Sequence, residues 1–127
     1  MANIGDIVKV NRKGLYYHYG ILSGNDRVIH YTGINEDIPE SLEQVYIIET
    51  SLSVFLKGGV LEVDDLDYDR EECIKTARSF LGQNKFYGSY YNVISNNCEH
   101  FAYYCATKEH KSSQVNNVLN IIKSIFK

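Results

Sequence analysis

The chain has 127 residues, of which 44% are hydrophobic and 23% are charged, and its formal net charge is -3. That size and composition are typical of one globular domain, so we expect residues 1–127 to share a single core. The small negative charge, with no local block of Lys and Arg, argues against a nucleic-acid partner. The N-terminal stretch MANIGDIVKV lacks the apolar run of a signal peptide, and no segment has the about 20 apolar residues of a bilayer span, so we expect a cytoplasmic location.

The first half of the chain alternates between apolar and polar residues, which is the pattern of half-buried β-strands. Turn residues, among them Gly14, Gly24 and the pair Gly58-Gly59, separate the alternating runs. The stretch 32–42 holds the one proline of the chain and predicts a loop. We predict strands over 6–11, 16–22, 27–31 and 45–49 and, from shorter runs, over 54–56 and 60–63.

The second half has the period of 3.6 residues that is typical of amphipathic helices. Asp69 and the Glu three residues later have the pattern of a capping box, which predicts a helix that begins there and stops near Gly82. Asn is a favoured N-cap, so we predict a second helix that begins at Asn97 or Cys98. A further apolar stripe predicts an amphipathic helix over 114–127. Because strands come first and helices follow, we predict an α+β fold, an antiparallel sheet packed against about three helices.

The three cysteines cannot all pair within one chain, and none of them forms a Cys-x-x-Cys pair. The cysteine pattern therefore argues against a disulfide scaffold and a structural zinc site, and favours a reducing compartment. Cys73 and Cys105 fall on the apolar stripes of predicted helices, so we expect both to be buried and structural. Cys98 differs because it stands at the start of a predicted helix. We expect neither a metal nor an organic cofactor.

Two histidines lie on the predicted hairpin HYGILSGNDRVIH. If its turn has three residues, 23–25, His18 and His30 lie directly opposite each other on one face, with Cβ atoms about 4.5–5.5 Å apart. A two-residue turn would separate them diagonally or place them on different faces. Three interpretations follow: two polar residues on a half-buried sheet, part of a metal site, or a catalytic base with an orienting partner. The last interpretation requires a nucleophile elsewhere in the chain.

Cys98 is the candidate for that nucleophile, although a small buried residue at a helix start is the alternative. A thiol in the first turn of a helix meets the positive end of the helix dipole, and a nearby imidazole adds to this effect. Both lower the thiol pKa, so we predict a Cys98 pKa of roughly 3.5–7.5 and a thiolate at neutral pH. His18 would then take the thiol proton, and His30 would orient His18.

The segments HYGILSGNDRVIH and NCEHF together resemble the lecithin:retinol acyltransferase-like family, in particular its small phospholipase A/acyltransferase branch. The resemblance covers about residues 5–107, and implies a catalytic core there followed by the amphipathic helix at about 114–127. It also implies a circularly permuted papain-like fold, similar to the NlpC-type peptidases. Carried over by position, it makes Cys98 the nucleophile, His18 the general base, His30 the third member of the triad and Tyr16 an oxyanion-binding residue.

The function that the resemblance implies is a cysteine-dependent hydrolase or acyltransferase that acts on phospholipid acyl esters through a Cys98 thioester. Two alternatives stay open. One is an amidase or peptidase of NlpC type, and the other is a non-catalytic interaction module, similar to the picornaviral H-box/NC proteins, that binds a protein partner. The amphipathic helix at 114–127 could touch a membrane surface, helped by Lys123 and Lys127, or pack on the sheet.

Overall fold

The fold is built on one antiparallel sheet of five strands in the order β4-β3-β2-β1-β5. The computed structural model describes residues 2–110 and Ile125, and the helix predicted over 114–127 lies outside these residues apart from Ile125. The predicted α+β class with its antiparallel sheet is confirmed. The five strands are β1 (Ile7–Arg12), β2 (Tyr16–Gly24), β3 (Arg27–Thr32), β4 (Tyr46–Ser51) and β5 (Leu61–Asp64).

Helices cover both faces of this sheet. A short helix, α1 (Leu52–Leu56), lies on one face, while α2 (Arg70–Ser79) and α3 (Cys98–Thr107) pack on the other. Two short strands, β6 (Lys85–Phe86) and β7 (Ser89–Tyr90), form a separate hairpin between α2 and α3. No helix in the described part of the chain has the length and apolar character needed to cross a bilayer.

The prediction of a strand over 54–56 is wrong, because this segment belongs to α1. The Ser51 hydroxyl accepts a hydrogen bond from the Val54 backbone N–H (3.3 Å), which makes Ser51 the N-cap of that helix. Lys57 ends the helix in the left-handed conformation, with φ of 46°. A run of three apolar residues is too short to distinguish the period of two of a strand from the period of 3.6 of a helix. Here the N-cap at Ser51 decides in favour of the helix.

Two hydrophobic clusters fill the two faces. The cluster between the sheet and α2 and α3 contains Cys73 and Cys105, both almost completely buried, so their predicted structural role is consistent with their positions. The cluster on the opposite face is smaller, and Phe55 of α1 is its central ring. Its other buried members are Val8, Val10, Leu22 and Val28.

The sheet opens between β2 and β3. Strand β2 pairs with β1 from Tyr16 onwards, but its first residue paired with β3 is Gly20, which lies opposite His30. Beyond His30, β3 continues to pair with β4 as far as Thr32. A Cβ atom at Gly20 would lie 2.6 Å from a methyl carbon of Val28, so the close approach of β2 and β3 at this point requires glycine. The first four residues of β2 therefore line a gap in the sheet.

The β2–β3 hairpin does not have the directly opposed register that a three-residue turn would give. His30 lies opposite Gly20 rather than His18, because the turn has two residues, Asn25 and Asp26, and the register shifts between Leu22 and Gly24. A two-residue turn alone would have put His18 and His30 on different faces of the sheet. The irregularity adds one residue to β2 and so returns both side chains to the same face. His18 and His30 thus share a face but stand diagonally across the gap.

Candidate active site

The two histidine rings bridge the gap between β2 and β3. His18 Nε2 lies 2.9 Å from His30 Nδ1, and His30 Nε2 lies 2.9 Å from the Thr50 hydroxyl. That hydroxyl donates its proton to the Ser51 carbonyl (3.0 Å), so it accepts from His30. His30 therefore carries its proton on Nε2, and its Nδ1 accepts the proton of His18 Nε2. This chain of hydrogen bonds assigns a single tautomer to each neutral ring.

The assigned tautomer leaves a lone pair on His18 Nδ1. This nitrogen is buried, and it is the one buried side-chain N or O atom of the described residues without a hydrogen-bond partner. Burial lowers the pKa of His18 to about 4, and burial together with the His18 charge holds the pKa of His30 well below its ordinary value. Both rings are therefore neutral at pH 7, and Nδ1 of His18 is a free base.

Because His18 is neutral in the folded chain, we expect acid to destabilise the fold. Unfolded His binds a proton below a pH of about 6.5, whereas folded His18 does so only near pH 4, so stability is lost as the pH falls between these values. The loss at pH 4.5 should be on the order of 2 kcal/mol for His18. Urea unfolding at pH 7.0, 5.5 and 4.5 measures it, with His18→Gln as the control that flattens the slope. Equal unfolding free energies at pH 7.0 and 4.5 in the unsubstituted chain would contradict the neutral assignment.

Cys98 occupies the first position of α3, as predicted. Asn97 is the N-cap, and its side-chain oxygen accepts from the backbone N–H groups of Glu99 (3.0 Å) and His100 (3.1 Å). The His100 ring returns a hydrogen bond, since its Nδ1 accepts from the Asn97 N–H (3.0 Å). His100 therefore completes a capping box. The start of α3 is fixed from both sides, which defines where the Cys98 thiol lies.

The thiol of Cys98 lies against the gap between β2 and β3. It accepts a hydrogen bond from the backbone N–H of Tyr19, the residue that follows His18 and is not paired with β3. The Tyr91 hydroxyl also donates to the thiol and accepts from the Cys98 N–H. The structure thus brings Cys98 to the strand segment that carries His18 and places Tyr91 beside it.

The predicted low pKa of Cys98 is wrong. Burial raises the pKa of the Cys98 thiol to about 11, because its residue is only 3% exposed and a thiolate there would lose its hydration. The hydrogen bonds from Tyr19 and Tyr91 act in the opposite direction without reversing it. Cys98 is therefore a neutral thiol at rest, and a nucleophilic role would require a base that removes its proton.

Tyr16, predicted to bind an oxyanion, lies at the open end of β2. Its hydroxyl donates to Asp37 Oδ2 (2.5 Å), and burial together with this carboxylate raises its pKa. Asp37 also receives both arms of the Arg12 guanidinium, at 2.6 and 3.1 Å. Asp37 was missed by the sequence reasoning because it lies in a loop without periodicity. Phe55 was missed too, and its ring lies 5.3 and 5.2 Å from the rings of His18 and His30.

Residues 2–110 contain no group of three or more His, Cys, Asp or Glu side chains arranged to hold a metal ion. The two imidazoles have their own hydrogen-bond partners instead, apart from Nδ1 of His18.

Comparison with known proteins agrees with the architecture and the motifs. A family model described as lecithin retinol acyltransferase matches residues 1–111. The chain belongs to this family. Human lecithin retinol acyltransferase is 27% identical over 149 aligned residues, which cover 97% of this chain and 62% of that protein. Human phospholipase A and acyltransferase 1 is 27% identical over 135 residues, covering 95% and 77%. Protein LEAD-SENSITIVE 1 of Arabidopsis thaliana is 27% identical over 137 residues, covering 73% and 52%.

The family resemblance predicted from NCEHF and the histidine hairpin is thus confirmed, and the α+β fold is consistent with a papain-like architecture. The chain spans about half to two thirds of the length of two of these relatives, and more of the third.

In this member of the lecithin retinol acyltransferase family, the NCEHF motif builds the start of α3. Asn97 and His100 form the capping box, and Phe101 packs fully buried in the core. Glu99 is also fully buried, and its carboxylate accepts a hydrogen bond from the Tyr19 side chain. Four of the five residues thus hold the helix start against β2, and the thiol is the remaining group.

Proposed function

We propose that the chain is a thiol acyl hydrolase or acyltransferase in which His18 activates Cys98. The observation that carries this proposal is the lone pair on His18 Nδ1, which is buried, unpartnered among the described residues, and next in sequence to the residue that holds the thiol. A neutral thiol requires a base, and a neutral imidazole with a free nitrogen is one. His30 supports the base by accepting from His18 Nε2, which keeps the lone pair on Nδ1.

The reaction has two halves. His18 Nδ1 takes the Cys98 proton, and the sulfur attacks the acyl carbonyl carbon. The tetrahedral intermediate then expels the alcohol, which receives the proton from His18, and a thioester on Cys98 remains. In the second half His18 removes a proton from water or from an acceptor amine or alcohol. That oxygen or nitrogen attacks the thioester, and the thiol leaves with the proton. The Cys98 backbone N–H and the Tyr16 hydroxyl are the proposed oxyanion donors, and each leaves its resting partner, Tyr91 or Asp37, to bind the oxyanion.

A phospholipid acyl ester is the substrate class that we propose. The two human relatives are named lecithin retinol acyltransferase and phospholipase A and acyltransferase 1, and lecithin is a phospholipid. An amide or peptide bond would use the same thiol chemistry, so the amidase alternative differs only in the bond that is cleaved.

The test is intact-mass spectrometry of the protein after incubation with a short-chain phosphatidylcholine. We expect a mass increase of one acyl group, which peptide mapping locates on Cys98. A peptide substrate incubated in parallel should give no adduct and no turnover. An adduct that forms with the peptide but not with the phosphatidylcholine would instead indicate an amide substrate.

The second candidate function is an interaction module without catalysis. The observation in its favour is the raised pKa of Cys98, since a protein-binding module has no need of an acidic thiol. This candidate predicts no adduct with either substrate, and alkylation of Cys98 that is indifferent to His18. The absence of an acyl adduct with both the phosphatidylcholine and the peptide would therefore favour the interaction module.

A further inference from the structure

Asp37 is a buried carboxylate outside every regular element. It lies in the connection between β3 and β4, and its residue is only 6% exposed. Arg12 binds it with two hydrogen bonds, Tyr16 donates a third, and the Lys57 ammonium lies 3.6 Å from Oδ1. Burial opposes ionisation of Asp37, but the hydrogen bonds from Arg12 and Tyr16 and the charges of Arg12 and His18 lower its pKa below the usual range. Asp37 therefore carries a full negative charge at neutral pH.

The Arg12 side chain is itself fixed by the backbone. Besides Asp37, its guanidinium donates to the carbonyls of Phe55 (2.7 Å) and Leu56 (3.2 Å) at the end of α1. The same Phe55 packs its ring on both histidines. Hydrogen bonds and ring contacts thus connect Arg12, Asp37 and α1 around the histidine pair. A buried ion pair contributes little net stability as such, because desolvation offsets the attraction between the charges.

The carboxylate of Asp37 faces the nitrogen of His18 that does not act as the base. Asp37 Oδ1 lies 3.8 Å from His18 Nε2, the atom that donates to His30. When His18 takes a proton on Nδ1, its ring becomes positive, and the neutral His30 offers it only a lone pair. An opposite charge at this distance favours the protonated ring.

We propose that Asp37 is a positioning residue for His18: it holds the Nε2–H edge of the ring toward His30 and stabilises the imidazolium that forms during proton transfer. This inference rests on the proposed function, in which His18 is the base. Asp37 then supplies the anion that a histidine–histidine pair lacks, from a loop rather than from a strand.

Other charged and titratable groups face His18 from each neighbouring element. After burial, Asp37 is the largest influence on the pKa of His18 and raises it, whereas Arg12 and Lys57 lower it. The remaining titratable neighbours are His30 of β3, which accepts a hydrogen bond from His18, and Tyr16, which lies two residues before His18 on the same face of β2. Asp37 also raises the pKa of Cys98, so removing it eases ionisation of the thiol and opposes protonation of the imidazole. The pKa of His18 itself is therefore the quantity to measure.

The test compares the full chain with Asp37→Asn, which keeps the shape and removes the charge. The His18 ring is followed by NMR from pH 8 to the lowest pH at which each protein remains folded. We expect the His18 pKa to fall by about one unit or more, so that at pH 4 the ring is partly protonated in the unsubstituted chain and neutral in the variant. Asp64→Asn is the matched control, because Asp64 is paired with Lys9 (2.7 Å) on β1 and its loss should leave the His18 pKa in place.

Activity gives a second readout on the same variants. With Asp37→Asn we expect the plateau of kcat/KM to fall at least about tenfold, while the acid limb of its pH profile moves to lower pH. A merely structural role would lower the plateau and leave the limb where it was. Asp37→Glu should restore part of the plateau and return the limb toward its original position.

Asp37→Asn leaves Arg12 without its anion, so the double variant Asp37→Asn with Arg12→Gln is titrated in its place if the single variant fails to fold. An unchanged His18 pKa in Asp37→Asn, or in the double variant when it is compared with Arg12→Gln alone, would overturn the proposal, because Arg12 itself lowers the pKa of His18. The NMR titration does not depend on turnover. An unsubstituted chain that forms no acyl adduct would therefore refute the proposed function and still leave the role of Asp37 decided by the His18 pKa.

Discussion

Replacing Cys98 by serine should abolish the acyl adduct and reduce turnover of a phospholipid ester by roughly a thousandfold or more. Serine keeps the size of the side chain and the hydrogen bonds from Tyr19 and Tyr91, but its hydroxyl is far less readily deprotonated by His18 than a thiol is. The fold should remain, because α3 starts on the cap formed by Asn97 and His100, which the substitution does not touch. Intact mass after incubation with short-chain phosphatidylcholine and the far-UV circular dichroism spectrum measure the two outcomes.

The matched controls are Cys73→Ala and Cys105→Ala. Both thiols are buried in the core between the sheet and the helices, and burial raises their pKa values. Each substitution should cost on the order of 1 kcal/mol of unfolding free energy while the adduct still forms. If all three variants lost activity to the same extent while staying folded, Cys98 would not be the nucleophile.

The parts of the site that lie on regular elements could be predicted from the sequence. The alternation of β2 and β3 put His18 and His30 on neighbouring strands, and the preference of Asn for the N-cap put Cys98 at the start of α3. These signals are local, because a strand face or a helix cap depends on residues within a few positions. The two elements of the site were therefore predictable, but not how they meet.

The parts that depend on packing could not be predicted. The register of β2 and β3 turned on one irregularity near Ser23, which no residue pattern marks in advance. Asp37 lies in a loop, where side-chain direction has no period to follow. The prediction of a low Cys98 pKa was wrong, because a helix start and a possible imidazole partner can be recognised in the sequence, whereas burial of the thiol cannot. A neutral thiol cannot attack an acyl ester until a base removes its proton. The proposed mechanism therefore depends on His18 more than a preformed Cys98 thiolate would require.

Replacing His18 by alanine should therefore be as damaging as replacing Cys98, by roughly a hundredfold to ten-thousandfold in kcat/KM, the contribution of a positioned base. His30→Gln should lower kcat/KM only about tenfold, roughly the contribution of one neutral hydrogen bond, because an amide can accept from His18 Nε2–H and donate to Thr50.

The measurement is kcat/KM for both variants at pH 7, together with the rate at which iodoacetamide alkylates Cys98. Without His18 that rate should fall at pH 7, since the resting thiol has a pKa of about 11 and no other base is assigned to it. If His30→Gln were as inactive as His18→Ala, His30 would take part in proton transfer itself. If His18→Ala left both turnover and alkylation unchanged, the thiol would not depend on the imidazole, and His18 would not be the base. Alkylation that is indifferent to His18 in a chain without turnover would favour the interaction module instead.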